Sequence, residues 1–174
     1  MDKVKGLTAT SSIIAISGGV AESAANTFTQ EQFDLQLNPL DNEVFVVTAI
    51  DINLTPPDYD GGANSATFGS LSTTSRTVIG TIGQSNVLAE ARDSIQVDLV
   101  TPSPAAVAFS RMSGETPATA LPYLAIIATN DFFGQVQGSG NTGAKGFNFR
   151  MWGYRAKASA SQYAALVQSE MLSQ

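Results

Sequence analysis

The chain has 174 residues with no cysteine and no histidine, and nine basic against fifteen acidic residues leave a net charge of −6. This composition excludes disulfides, thiolate or imidazole metal sites and every Ser-His-Asp or Cys-His catalytic pair. The acidic balance disfavours non-specific binding to nucleic acid or anionic membrane, and a charged fraction of only 14% leaves a neutral surface of the kind that neighbouring subunits cover.

Residues 1–26 read as an extended N-terminal arm with some strand character. Lys3 and Lys5 precede Ile13, Ile14, Ala15 and Ile16, but Ser17, Gly18 and Gly19 end the apolar run far short of a membrane span. Residues 27–158 carry strand periodicity. Phe33, Leu35 and Leu37 alternate with Asp34 and Gln36, and Asn38-Pro39-Leu40-Asp41-Asn42 is turn chemistry. The longest strand candidate runs from Val44 to Leu54, with Val44, Val46, Ile50, Ile52 and Leu54 expected on one apolar face. Its odd positions pass from Phe45 and Val47 to Asp51 and Asn53, from covered to wet.

A loop follows over 55–62, and 85–92 reads as a helical turn or a loop. Further strand runs are expected at 67–68, 77–82, 95–99, 105–109, 121–129, 132–137 and 146–157. In the last of these Phe147, Phe149 and Met151 share one face, and Asn148, Arg150, Trp152 and Tyr154 the other. Ser159 and Gln162 have the spacing of a capping box, and Tyr163, Leu166, Val167 and Met171 form the stripe of a short amphipathic helix over 159–174. About eight strands without helical crossovers predict an all-β sandwich or barrel.

Four groups of residues invite a chemical reading. The run Gly138-Ser139-Gly140-Asn141-Thr142-Gly143-Ala144-Lys145 has the glycines of a phosphate loop, but Ala144 separates Gly143 from Lys145 and a strand comes next, so a hairpin connection is expected. Asp58 and Asp60 begin like a calcium loop without its closing Glu; a turn fits better, and a cation shared between subunits stays open there. Asp51 and Asp98 interrupt alternating strands and are candidates for a histidine-free glycosidase pair, although wet-face carboxylates are the ordinary case. Lys145, Arg150, Arg155 and Lys157 interleave with aromatics as in single-strand nucleic-acid binders, but the phenylalanines lie on the other strand face. Arg150, Trp152 and Tyr154 together suit either a protein contact or cover by the chain's own helix.

The order of these segments, a long strand at Val44 to Leu54 and then a late pair at 123–137 and 146–155, resembles the single jelly-roll capsid proteins of icosahedral viruses. That family includes the small upright type of membrane-containing viruses of bacteria and archaea. The resemblance covers 27–157 and rests on strand order, size and surface character. It implies an eight-stranded jelly roll of two four-stranded antiparallel sheets, with the late pair in opposite sheets. It implies a structural role in the virion shell by self-assembly, with no catalysis, cofactor or metal. Its partners would be copies of itself, with room for a second capsid protein and an internal membrane or vertex protein. Only Lys3 and Lys5 precede Arg76, unlike the Arg-rich arm of one variant, so direct genome binding is not implied. On this reading Ile13, Ile14, Arg150, Trp152, Tyr154, Tyr163, Leu166 and Val167 are the expected subunit-interface residues, with arm and helix as reaching elements. A carbohydrate-binding or adhesin-like sandwich is the alternative of a different class.

Overall fold

The computed structural model describes residues 4–60, 62–98, 105–112 and 121–172. Ten strands are found among them: β1 (Leu7–Ala9), β2 (Ile14–Ala21), β3 (Thr29–Asp34), β4 (Glu43–Leu54), β5 (Ser65–Ser72), β6 (Val87–Asp98), β7 (Ala105–Met112), β8 (Ala125–Ile127), β9 (Asp131–Ser139) and β10 (Gly146–Ala158). A single α-helix, α1 (Ala160–Leu172), closes the chain. The first sheet runs β2-β10-β4-β8, with β1 also against β10; the second runs β3-β9-β5-β6-β7, and all pairs are antiparallel. Without β1 and β7, each sheet has four strands and the chain crosses between sheets in jelly-roll order. Of the late pair, the first segment divides: β9 lies in the sheet opposite β10, as expected, but β8 joins β4 in the same sheet as β10.

The N-terminal segment is extended, as expected, but it is not an arm outside the sandwich. Along β2, Ile14 to Ala21 pair with β10 from Gly153 to Gly146. Ile14 and Ile16 pack on the main core. The sandwich therefore begins well before residue 27.

That main core fills the space between the sheets with Phe45, Val47, Ile52, Leu54, Leu71, Ile127, Phe132, Val136, Phe147, Phe149 and Met151. Phe33 stacks on Phe132 at 5.2 Å, and Phe149 meets both rings edge-on at 4.9 and 5.6 Å, the geometry aromatic quadrupoles favour. Gly153 lies under Phe45: a Cβ there would sit 2.4 Å from the Val46 carbonyl oxygen and 2.5 Å from the ring.

The expected single apolar face of β4 is corrected. Trp152 lies opposite Ala49 and Gly153 opposite Val47, so Thr48 is an extra residue bulged out of the ladder. Its Oγ1 donates to the Trp152 carbonyl at 3.1 Å. One extra residue changes the parity of the strand. Phe45 and Val47 point into the sandwich before the bulge, and Ile50, Ile52 and Leu54 after it. Val44 and Val46 point outward instead, into a second apolar cluster with Ala128, Tyr154, Ala156 and Ala158.

The helix covers that second cluster with Tyr163, Leu166 and Val167. It starts where Ser159 Oγ accepts from Gln162 N at 3.4 Å and Ser159 O from Tyr163 N at 2.9 Å. Met171, expected in the stripe, is 62% exposed. Glu170 takes the inward place, three residues on from Val167, and its carboxylate accepts from Ala128 N at 2.9 Å and Thr129 N at 3.0 Å. No described helix is long and apolar enough to cross a membrane.

Two sequence expectations shift in the second sheet. Residues 85–92 largely belong to β6 rather than to a helical turn, and 77–82 is not a strand. The stretch from Thr73 to Asn86 folds over the outer face of β5 and β9, where it closes a polar network. Gln135 Nε2 donates to Ser72 Oγ at 2.8 Å, Ser70 Oγ donates to Gln135 Oε1 at 2.8 Å, and Arg76 ties Asn86 Oδ1 (3.0 Å) to Gln84 Oε1 (2.7 Å). Buried polar side chains need such partners, and here the strands and the loop supply them together. From the loop, Gly80 N donates to Ser70 Oγ at 3.0 Å and Thr74 O accepts from Ser72 Oγ at 2.7 Å.

Candidate functional site

Away from α1, the outer face of the first sheet is open, and its register sets three rungs across β2, β10 and β4. Gly19, Asn148 and Asn53 form one; Ser17, Arg150 and Asp51 the next; Ala15, Trp152 and Ala49 the third. Alternation along β10 sends its even residues outward, as the sequence periodicity predicts. Small side chains on both flanks leave Arg150 and Trp152 standing above the sheet. The Arg150 guanidinium lies 6.0 Å from the Trp152 ring centroid, and its Nε donates to Ser17 Oγ at 3.2 Å. Beside them lies a shallow depression of about 540 Å³ lined by Ser17, Gly18, Asp51, Asn53, Asn148, Phe149 and Arg150. An indole, a guanidinium, a carboxylate and two amides on a flat floor make a recognition surface.

The glycine-rich loop does cradle an anion, and the anion belongs to the chain itself. One Asp58 carboxylate oxygen accepts from Thr142 N (3.0 Å), Thr142 Oγ1 (2.9 Å) and Gly143 N (3.1 Å), and the other takes Lys145 Nζ at 2.6 Å. The Lys145 ammonium, then these loop donors, hold the Asp58 carboxyl far below the usual carboxylate range. Lys145 is 7% exposed, so its charge is neutralised inside the loop. Behind it, the buried Glu22 carboxylate accepts from Gly138 N at 2.5 Å and Lys145 N at 2.7 Å. Asn141 joins the same knot, accepting from Asp58 N at 2.9 Å and donating to Ala66 O at 2.8 Å. Asp58 is thus already paired with a cation, while Asp60 caps its own turn through Gly62 N at 3.1 Å. No cluster of three or more metal-ligating side chains occurs among the described residues.

The two candidate glycosidase carboxylates do not share a sheet face: Asp51 stands on β4 in the first sheet and Asp98 at the end of β6 in the second. The four clustered cations also part company. Lys145 turns into the loop, Arg155 donates to Leu35 O at 3.0 Å, Lys157 pairs with Asp41 at 3.0 Å, and Arg150 alone faces outward beside Trp152.

The expected interface residues divide likewise. Arg150 and half-buried Trp152 remain on the open face, and Ile13 is 49% exposed. Ile14 packs in the main core, and Tyr154, Tyr163, Leu166 and Val167 are spent between α1 and its own sheet. The arm and helix therefore do not reach outward; both fold back onto the sandwich. Glu22, Asn141 and Glu170 were not singled out by sequence reasoning. A signal existed only for Glu170, at the next turn of the 163, 166, 167 stripe.

A different surface stands out instead. Every side chain of Ala105 to Arg111 on β7 is exposed, with Val107 at 55% and Phe109 at 53%. The strand pairs with β6 on one side, and β8, in the facing sheet, pairs only with Phe45 to Val47. No family model matches this chain, and no curated protein or solved structure does either.

Proposed function

We propose that this chain is a structural capsid protein that acts by self-association into capsomers and an icosahedral shell, without turnover. The observation that carries the reading is the strand order: two sheets in the sequence β2-β10-β4-β8 and β3-β9-β5-β6, the jelly-roll wiring used by viral shells. Lectins and other modules use that wiring too, so the surface must discriminate. A chain with 14% charged residues and a bare apolar edge strand is built to be covered. Its contacts lie on the open sheet faces and edges, since arm and helix are occupied at home. Each contact is weak alone and summed over many copies. Other shell or membrane proteins of the virion are the further partners this role allows. Purified protein examined by light scattering and negative-stain electron microscopy is expected to form capsomers or particles. A persistent monomer at high concentration overturns the proposal.

The Trp152 face favours a second reading, a carbohydrate-binding module, because an indole beside Asp51, Asn53, Asn148 and Arg150 suits a pyranose ring with its hydroxyls. Specific signals on a glycan array, lost in Trp152→Ala, together with no self-association, would establish it instead.

A further inference from the structure

We propose that β7 pairs with β7 of a second copy, antiparallel about a two-fold axis at Ala108, and so joins two second sheets into one continuous sheet. This rests on the self-assembly reading above and names the surface that performs it. Ala105-Ala106-Val107-Ala108-Phe109 is an apolar run on an edge strand, with no charge or proline within it and no strand but β6 paired with it among the described residues. Natural edges are blunted by such devices because an open ladder recruits another strand.

The occupant follows from the strand's own pattern. In an antiparallel pair, opposite residues point to the same face, so a self-pair must join odd to odd and even to even. Centring it on Ala108 sets Val107 against the partner's Phe109 and Phe109 against the partner's Val107. The four side chains then form one patch on the outer face. Ala106 meets the partner's Ser110, and Ala108 meets its own copy. At the ends, Ala105 faces the partner's Arg111. The strand is complementary to itself in shape, as an isologous interface requires.

Because the chain has no cysteine, single-thiol variants test the register directly. In Ala108→Cys the two thiols fall opposite each other, with Cα atoms about 4.5–5.5 Å apart, within disulfide reach. In Ala105→Cys they lie about 20 Å apart. Mild oxidation of the full chain is expected to cross-link Ala108→Cys to a dimer about tenfold more completely than Ala105→Cys. The double variant Val107→Lys, Phe109→Lys sets lysine against lysine at exposed sites; it is expected to keep its unfolding midpoint and lose the dimer. Equal cross-linking of the two cysteine variants, or association unchanged by the lysines, overturns the β7 pairing. If particles still form in those cases, capsid assembly stands without it; a monomer throughout overturns both.

Discussion

Deleting Thr48 is the most exacting perturbation of this fold, because it tests whether that residue is truly extra to the ladder. Val47 opposite Gly153 faces the core, and Ala49 opposite Trp152 faces out, on consecutive rungs. Joining them directly restores plain alternation, with Phe45, Val47, Ile50, Ile52 and Leu54 still inside and Val44 and Val46 still beneath the helix. Both apolar clusters therefore keep their members, and the main loss is the hydrogen bond from Thr48 Oγ1 to the Trp152 carbonyl, about 1 kcal/mol. Thr48→Ala loses the same bond and should cost about as much. A switch of faces would instead put valine at the Phe45 place and cost about 2–3 kcal/mol for the cavity alone. Urea unfolding followed by fluorescence reads both variants, since the single tryptophan, Trp152, sits opposite Ala49 next to the bulge. A deletion variant more than about 3 kcal/mol less stable than Thr48→Ala would refute the reading of Thr48 as an extra residue.

Glu22→Ala strips the partner from two backbone N–H groups, those of Gly138 and Lys145, and should lower stability by about 2–4 kcal/mol in the same assay. Asp58 has a depressed pKa, so its contribution is complete above the ordinary aspartate value of about 3.9 and fades only as pH falls through the lower folded value. The amides of Thr142 and Gly143 should accordingly resist hydrogen exchange below that ordinary value. Asp58→Asn should speed their exchange at neutral pH, and unchanged rates would contradict the cradle. Glu170 shifts the other way: burial raises its carboxyl pKa despite the opposing N–H groups of Ala128 and Thr129. Its contribution is therefore greatest below the ordinary glutamate value of about 4.3 and declines as pH rises through the raised one. Glu170→Gln should remove that part of the pH dependence from urea midpoints, and an identical profile would show that α1 docks by other means.

Much of the sandwich was legible because strand and helix periodicities are local. The alternation of Phe147, Phe149 and Met151 with Asn148, Arg150 and Trp152 determined both faces of β10 without reference to any partner. The spacing of Tyr163, Leu166 and Val167 likewise determined the inner side of α1. The composition settled only that histidine and cysteine chemistry is absent.

Tertiary structure decided the rest, since it concerns partners far apart along the chain. Thr48 reads as an ordinary strand residue until β10 leaves it unpaired. Gly138 to Lys145 reads as a flexible hairpin until Glu22, more than a hundred residues earlier, and Asp58 fill it. Ile14 looks free to reach a neighbour until β10 takes it up, and Val107 and Phe109 look like core until the β6 register turns them to the outer face. Side-chain alternation records which face of a strand is apolar. What covers that face is chosen by chain segments that meet only on folding.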